Sequence, residues 1–166
     1  MNRKLPFDPI GEARRHWVGH GWAGAADGMA AVTSVMRAQQ ILQARVDEVL
    51  RPLGLTFARY EVLMLLLFSR TGALPLARVG ERLQVHPASV TNAVDRLEAQ
   101  HLVRRVAHPS DRRTTLAELT EAGRELARAA TEELNATVFG EIGLSGEQTD
   151  TLIGVLTGLR AGAGDF

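Results

Sequence analysis

The sequence predicts a mainly α-helical fold with a small β-wing, a winged helix-turn-helix embedded in a helical body. Three observations carry that prediction. Residues 74–120 read as a short helix, a turn, a second helix with a polar outer face, and two strands joined by a basic loop. Helical apolar spacing continues on both sides of that stretch. The chain of 166 residues, 45% hydrophobic and 23% charged, suits one domain over residues 1–166.

Asp8-Pro9 opens the first helix, with Asp as N-cap and Pro in the first turn, and Gly19 or Gly21 stops it. Glu12, His16 and His20 share one face at four-residue spacing. Two His so placed can share a metal ion, and a solvated polar face is the simpler reading. A longer helix over about 25–50 carries Met29, Val32, Val35, Met36, Leu42, Val46, Val49 and Leu50, mostly three, four or seven apart. Arg51-Pro52-Leu53-Gly54 breaks it.

Thr56 caps a third helix to about residue 69, whose uninterrupted apolar run 62–68 marks it as the buried centre. A short helix over about 76–83 buries Leu76, Val79, Gly80 and Leu83, and Gln84-Val85-His86 is the turn after it. Pro87 opens a helix to about residue 100, with Val90, Ala93, Val94 and Leu97 as its inner stripe. The strand candidates are 102–106 and 114–119, separated by the turn signal Pro109-Ser110-Asp111. Thr120 caps a long helix to about residue 139, striped by Ala122, Leu126, Ala130, Leu134 and Val138. Ser145-x-x-Gln148 is a capping box for the last helix, striped by Leu152, Val155, Leu156 and Leu159. The tail AGAGDF is expected to be loose.

Composition narrows the function. Cysteine is absent, which removes disulfides, thiolate metal sites and thiol-based redox sensing. The longest apolar run has seven residues against the ~20 a bilayer span needs, and MNRKLPFDPI carries no signal-peptide core. A cytoplasmic protein without a membrane partner is expected. No glycine-rich phosphate loop, metalloprotease helix or Gly-x-Ser-x-Gly is present, so neither an enzyme nor a cofactor is expected. His108, Ser110 and Asp111 are neighbours in a hairpin loop, where a catalytic triad cannot be oriented and buried.

Net charge is zero, but unevenly spread. Residues 99–113 hold four Arg (104, 105, 112, 113) and two His against Asp111, and residues 114–150 hold two Arg against eight acids. One concentrated basic segment in a neutral protein fits a small, defined face for phosphate. A B-DNA major groove admits one α-helix, and the helix 87–100 offers Ser89, Thr91, Asn92 and Arg96 opposite its apolar stripe. Arg112 and Arg113 at the hairpin tip can enter a minor groove. Asp111 is expected to pair with one of these arginines, Arg113 being the better candidate, and hold its guanidinium.

These residues resemble the multiple-antibiotic-resistance regulator (MarR) family of winged-helix repressors. The resemblance rests on Val90-Thr91-Asn92-Ala93-Val94-Asp95-Arg96-Leu97-Glu98, Leu102-Val103-Arg104-Arg105, Asp111-Arg112-Arg113 with Leu119-Thr120, and Leu55-Thr56 with Arg59-Tyr60-Glu61-Val62-Leu63. It covers about residues 30–160. The family's D-x-R wing signature makes Arg113 the wing arginine and Asp111 its acidic partner. The resemblance implies a two-fold homodimer on a near-palindromic double-stranded operator, acting as a repressor. It places residues 56–119 in the DNA-binding region and residues 8–55 and 120–161 in the dimerisation helices. It also implies relief of binding by a small molecule or an oxidant, of which the absence of cysteine leaves the small molecule.

The extra N-terminal helix, with Trp17 and Trp22, resembles the branch that responds to urate-like anionic metabolites. Trp17 or Trp22, Asp47, Arg59 and Arg96 are then the candidate effector residues, since a ring and Arg can jointly hold a flat anion. Core and dimer packing is the other use for these Trp. A winged-helix protein–protein module, with residues 87–113 on a partner protein, is the alternative function.

Overall fold

The computed structural model describes residues 5–111 and 113–166. Arg112, one of the expected DNA contacts, lies outside the described residues. The chain divides into two units, Met1–Glu48 and Val49–Phe166.

The first unit holds α1 (Pro9–Gly19) and most of α2 (Ala23–Leu50). Asp8 caps α1 through a side-chain oxygen that accepts from the Ile10 N–H at 3.0 Å. A turn with Gly21 at φ 87° leads into α2, and Arg14 pairs with Asp27 at 2.6 Å across it. The middle of α2 leaves Val32, Val35, Met36 and Ile41 exposed.

The second unit runs α3 (Phe57–Phe68), β1 (Ala73–Pro75), α4 (Leu76–Leu83), α5 (Pro87–Ala99), β2 (Val103–Ala107), β3 (Thr115–Leu119), α6 (Glu121–Leu134) and α7 (Gly146–Gly162). The sequence signals two strands; the sheet has three, antiparallel in the order β1-β3-β2. β1 escapes prediction because three residues carry no periodicity. Pairing with β3, Ala73 opposite Glu118 and Pro75 opposite Leu116, creates it.

Thr56 caps α3 as expected, and α3 packs against α4, α5, α6 and β3. Its Val62, Leu63 and Leu66 are buried, yet Phe68 at its end is 76% exposed. Tyr60 is buried and its hydroxyl lies 3.0 Å from Thr131 Oγ1, which itself donates to the Ala127 carbonyl at 2.7 Å. Tyr60 is therefore the donor, and α3 is pinned to α6. On α4, Val79 and Gly80 are buried while Leu76 and Leu83 are only half-buried.

The expected stripe of α6 is shifted by one position at its start. Ala122 is exposed and Leu126 half-buried; Gly123, Ala127, Ala130 and Leu134 form the buried row. The reason is a close approach. A Cβ on Gly123 would stand 2.0 Å from the Leu102 carbonyl oxygen, so only a glycine lets α6 settle there. Thr120, the α6 N-cap, ties the same place by donating from its hydroxyl to the His101 and Leu102 carbonyls at 2.8 and 3.0 Å.

The α-helix ends at Leu134, short of the expected residue 139. Asn135–Phe139 form a π-helical turn, closed by the Gly140 N–H on the Asn135 carbonyl at 2.9 Å. The Ser145/Gln148 capping box of α7 is present. No α7 residue is buried, and Leu152, Ile153, Val155 and Leu159 stand exposed. The tail is not loose. Arg160 pairs with Asp165 at 2.6 Å and lies over the Phe166 ring, and Gln84 donates to the Asp165 carbonyl. Among the described residues no helix is long and apolar enough to cross a membrane.

Candidate nucleic-acid interface

The turn between α4 and α5 is fixed by local chemistry. Gln84 takes the left-handed conformation (φ 54°), and the Val85 N–H returns to the Gly80 carbonyl at 3.1 Å. His86 caps α5, its Nδ1 accepting from the Ala88 N–H at 3.2 Å, and Pro87 occupies the first turn. Val90, Val94 and Leu97 are buried, with Ala93 half-buried beside them. That leaves Ser89, Thr91, Asn92 and Arg96 exposed on the outer side. Among the described residues Arg96 has no ion-pair partner. Gln100, also on the polar side, donates instead to the Gly54 carbonyl at 3.2 Å and anchors the helix end.

Arg96, Ser89 and Asn92 share a shallow cleft of about 480 Å³ with Thr56, Ala58, Arg59 and Ala93. Thr56 Oγ1 accepts from both the Arg59 N–H and its Nε–H, at 3.4 and 3.2 Å, which sets the direction of that guanidinium. The two arginines thus bring positive charge to one concavity beside α5. Of the candidate effector residues, this cleft unites Arg59 and Arg96. Trp17, Trp22 and Asp47 belong to the other unit. There Trp17 and Trp22 meet edge to face with centroids 5.1 Å apart, and Trp22 stacks on His20 at 5.6 Å. Asp47 accepts from Gln43 Nε2 at 2.9 Å. Glu12 lies against Arg15 and His16, whereas His20 stacks on Trp22.

The wing is β2 and β3 with their loop, closed by the His108 N–H on the Thr114 carbonyl and the Thr114 N–H on the Asp111 carbonyl, both 3.0 Å. Asp111 reaches Arg113 differently from the expected ion pair. Its Oδ1 accepts from the Arg113 backbone N–H at 3.0 Å and its Oδ2 from the Thr114 hydroxyl at 2.7 Å. The carboxylate therefore shapes the loop backbone and leaves the exposed Arg113 guanidinium without an ion pair among the described residues. The Thr114 hydroxyl first, then the Arg113 N–H, hold the Asp111 carboxyl below its usual range. His108 Nδ1 accepts from the Ser110 N–H at 3.3 Å and lies 3.2 Å from its hydroxyl, a further loop contact.

The basic segment is less available than its composition suggests. Arg104 crosses β2 to its register partner Glu118 on β3 at 2.6 Å. Arg105 pairs with Asp95 at 2.6 Å and with Glu98, both on α5. No sequence signal reveals these pairs, because each joins residues 7 to 14 apart across a turn.

The MarR family model matches residues 55–115, the span from the α3 cap to the start of β3. Sco5413 of Streptomyces coelicolor, a MarR family transcriptional regulator, is 51% identical, with 84% of this chain and 97% of that one covered and a TM-score of 0.76. Sco3205, a MarR family regulator of the same organism solved in complex with DNA, is 27% identical over 82% of this chain and 88% of its own, with a TM-score of 0.73. YhbI of Bacillus subtilis, an uncharacterised HTH-type transcriptional regulator, is 35% identical over 85 residues, 51% of this chain. That match spans 54% of YhbI, so this chain covers about half the length of that curated relative.

Proposed function

This chain belongs to the MarR family, and from that premise we propose that it is a dimeric transcriptional repressor on double-stranded DNA. In this reading α5 lies in the major groove, with Ser89, Thr91, Asn92 and Arg96 at base edges and phosphates. The wing enters the minor groove through Arg113, with Arg112 beside it in sequence. One observation carries the reading: among the described residues the exposed row on α5 and the Arg113 guanidinium have no ion-pair partner, while the neighbouring Arg104 and Arg105 are neutralised within the fold.

The dimer is supported by surface chemistry. Val32 and Met36 on α2 and Val155 and Leu159 on α7 are each more than 60% exposed, a cost that a second copy removes. Two-fold symmetry then spaces two reading helices about 34 Å apart, one turn of DNA, and the operator is near-palindromic. Release comes from a small flat anion held by Arg59 and Arg96, whose cleft already gathers the two guanidiniums.

Fluorescence anisotropy with duplexes from upstream of the protein's own gene tests this function. Binding should weaken steeply with salt, and Arg113→Ala should lose most of the affinity and lower the salt slope by about 1. Asn92→Ala should relax sequence preference instead. A folded wild-type protein that binds no duplex, or binds all duplexes alike, would favour the protein–protein module. Calorimetric titration with purines, citrate, salicylate and phenolic acids tests the effector, and absence of binding heat with all of them removes it.

A further inference from the structure

The helix proposed to read DNA carries two carboxylates: Asp95, one turn after Asn92 and next to Arg96, and Glu98, three residues further on. Free acids there would repel a phosphate backbone. Both are held by one residue. Arg105, on β2, donates its backbone N–H to Glu98 Oε1 at 2.9 Å, one guanidinium nitrogen to Glu98 Oε2, and another to Asp95 Oδ1 at 2.6 Å. The Arg105 side chain is only 27% exposed, whereas Asp95 is 57% exposed and so open to whatever approaches α5.

We infer that Arg105 is a positioning residue for DNA binding: it clamps the reading helix to the wing strand and masks the carboxylates of Asp95 and Glu98 from phosphate. The inference rests on the DNA-binding reading above. Arg105 need not touch DNA to act. Its two guanidinium nitrogens meet two different acids, geometry that a forked cation can satisfy and a point charge on a flexible stem cannot. Because the clamp spans α5 and β2, it also sets the angle between the major-groove helix and the wing that follows β2. The backbone bond to Glu98 survives loss of the side chain, so the site can lose its charge mask while much of its local geometry stays.

A charge cycle tests the masking. At fixed salt, with the upstream duplex as probe, Arg105→Gln should weaken binding about tenfold. Asp95→Asn alone should stay within about twofold of wild type, and the double variant Arg105→Gln/Asp95→Asn should regain most of the tenfold loss. Arg105→Lys should recover only part of the affinity. Thermal unfolding of each free variant separates loss of fold from loss of mask. Wild-type binding at Arg105→Gln, or a loss that Asp95→Asn leaves unrescued in a folded protein, would overturn the inference. A wild-type protein that binds no duplex would instead overturn the reading of function on which it rests.

Discussion

Gly123→Ala puts a single methyl where the first turn of α6 meets Leu102, in the link between α5 and β2. Its Cβ would stand 2.0 Å from the Leu102 carbonyl oxygen, 2.9 Å from the Leu102 carbonyl carbon and 2.9 Å from Leu119 Cδ1. Two of those three neighbours are backbone, and the carbonyl oxygen already accepts from the Thr120 N–H at 3.1 Å and from the Thr120 hydroxyl at 3.0 Å. Relief therefore means moving α6 away from β2 by more than 1 Å, a shift that loosens Ala127 and Ala130, both fully buried. Overpacking of this kind costs about 3 kcal/mol. Alanine returns about 1 kcal/mol through its better helix propensity, leaving about 2 kcal/mol of net destabilisation. For a chain of this size that is roughly 4–8 °C in Tm. Calorimetry at one fixed protein concentration measures it, with Gly80→Ala as comparison, where the new Cβ meets its neighbours at 3.3 Å and should cost less. A Gly123→Ala protein as stable as wild type would refute the close approach on which the placement of α6 depends.

Three further outcomes follow from named contacts. Tyr60→Phe should destabilise by about 1 kcal/mol in urea titration, because it removes the hydroxyl that donates to Thr131 between α3 and α6. His101 sits at φ 60°, so His101→Gly should raise stability by roughly 0.5–1 kcal/mol; a drop would show that the imidazole contributes more than the backbone strain removes. The Glu98 carboxyl is held below its ordinary value of 4.5, first by the Arg105 backbone N–H and then by the Arg105 side chain. A carboxyl with a depressed folded-state pKa contributes stability above its unfolded value and loses it as pH falls through the folded value. The stability gap between wild type and Glu98→Gln should therefore be flat through neutral pH and close below pH 4.5, and a gap that stays open in acid would count against the ion pair.

Much of the architecture is written in short-range signals. Asp8-Pro9, Thr56, Thr120 and the Ser145/Gln148 box each set a helix start through a cap hydrogen bond within one turn, and Pro87 does so through its fixed φ in the first turn of α5. The periodicity of Val90, Ala93, Val94 and Leu97 likewise placed the inner face of α5 and so the outer face with Ser89, Thr91, Asn92 and Arg96. These features are local, and they already contain the family resemblance.

What tertiary structure alone decided depends on residues far apart in the chain. β1 exists only because β3 reaches it, and Gly123 fixes which face of α6 is buried only because Leu102 lies against it. Composition marked residues 99–113 as one concentrated basic segment. Folding divides that segment, binding Arg104 to Glu118 and Arg105 to Asp95 and Glu98 while Arg113 stays open. Charge is a property of a residue, but its availability to a partner is set by which opposite charge folding brings within hydrogen-bond reach.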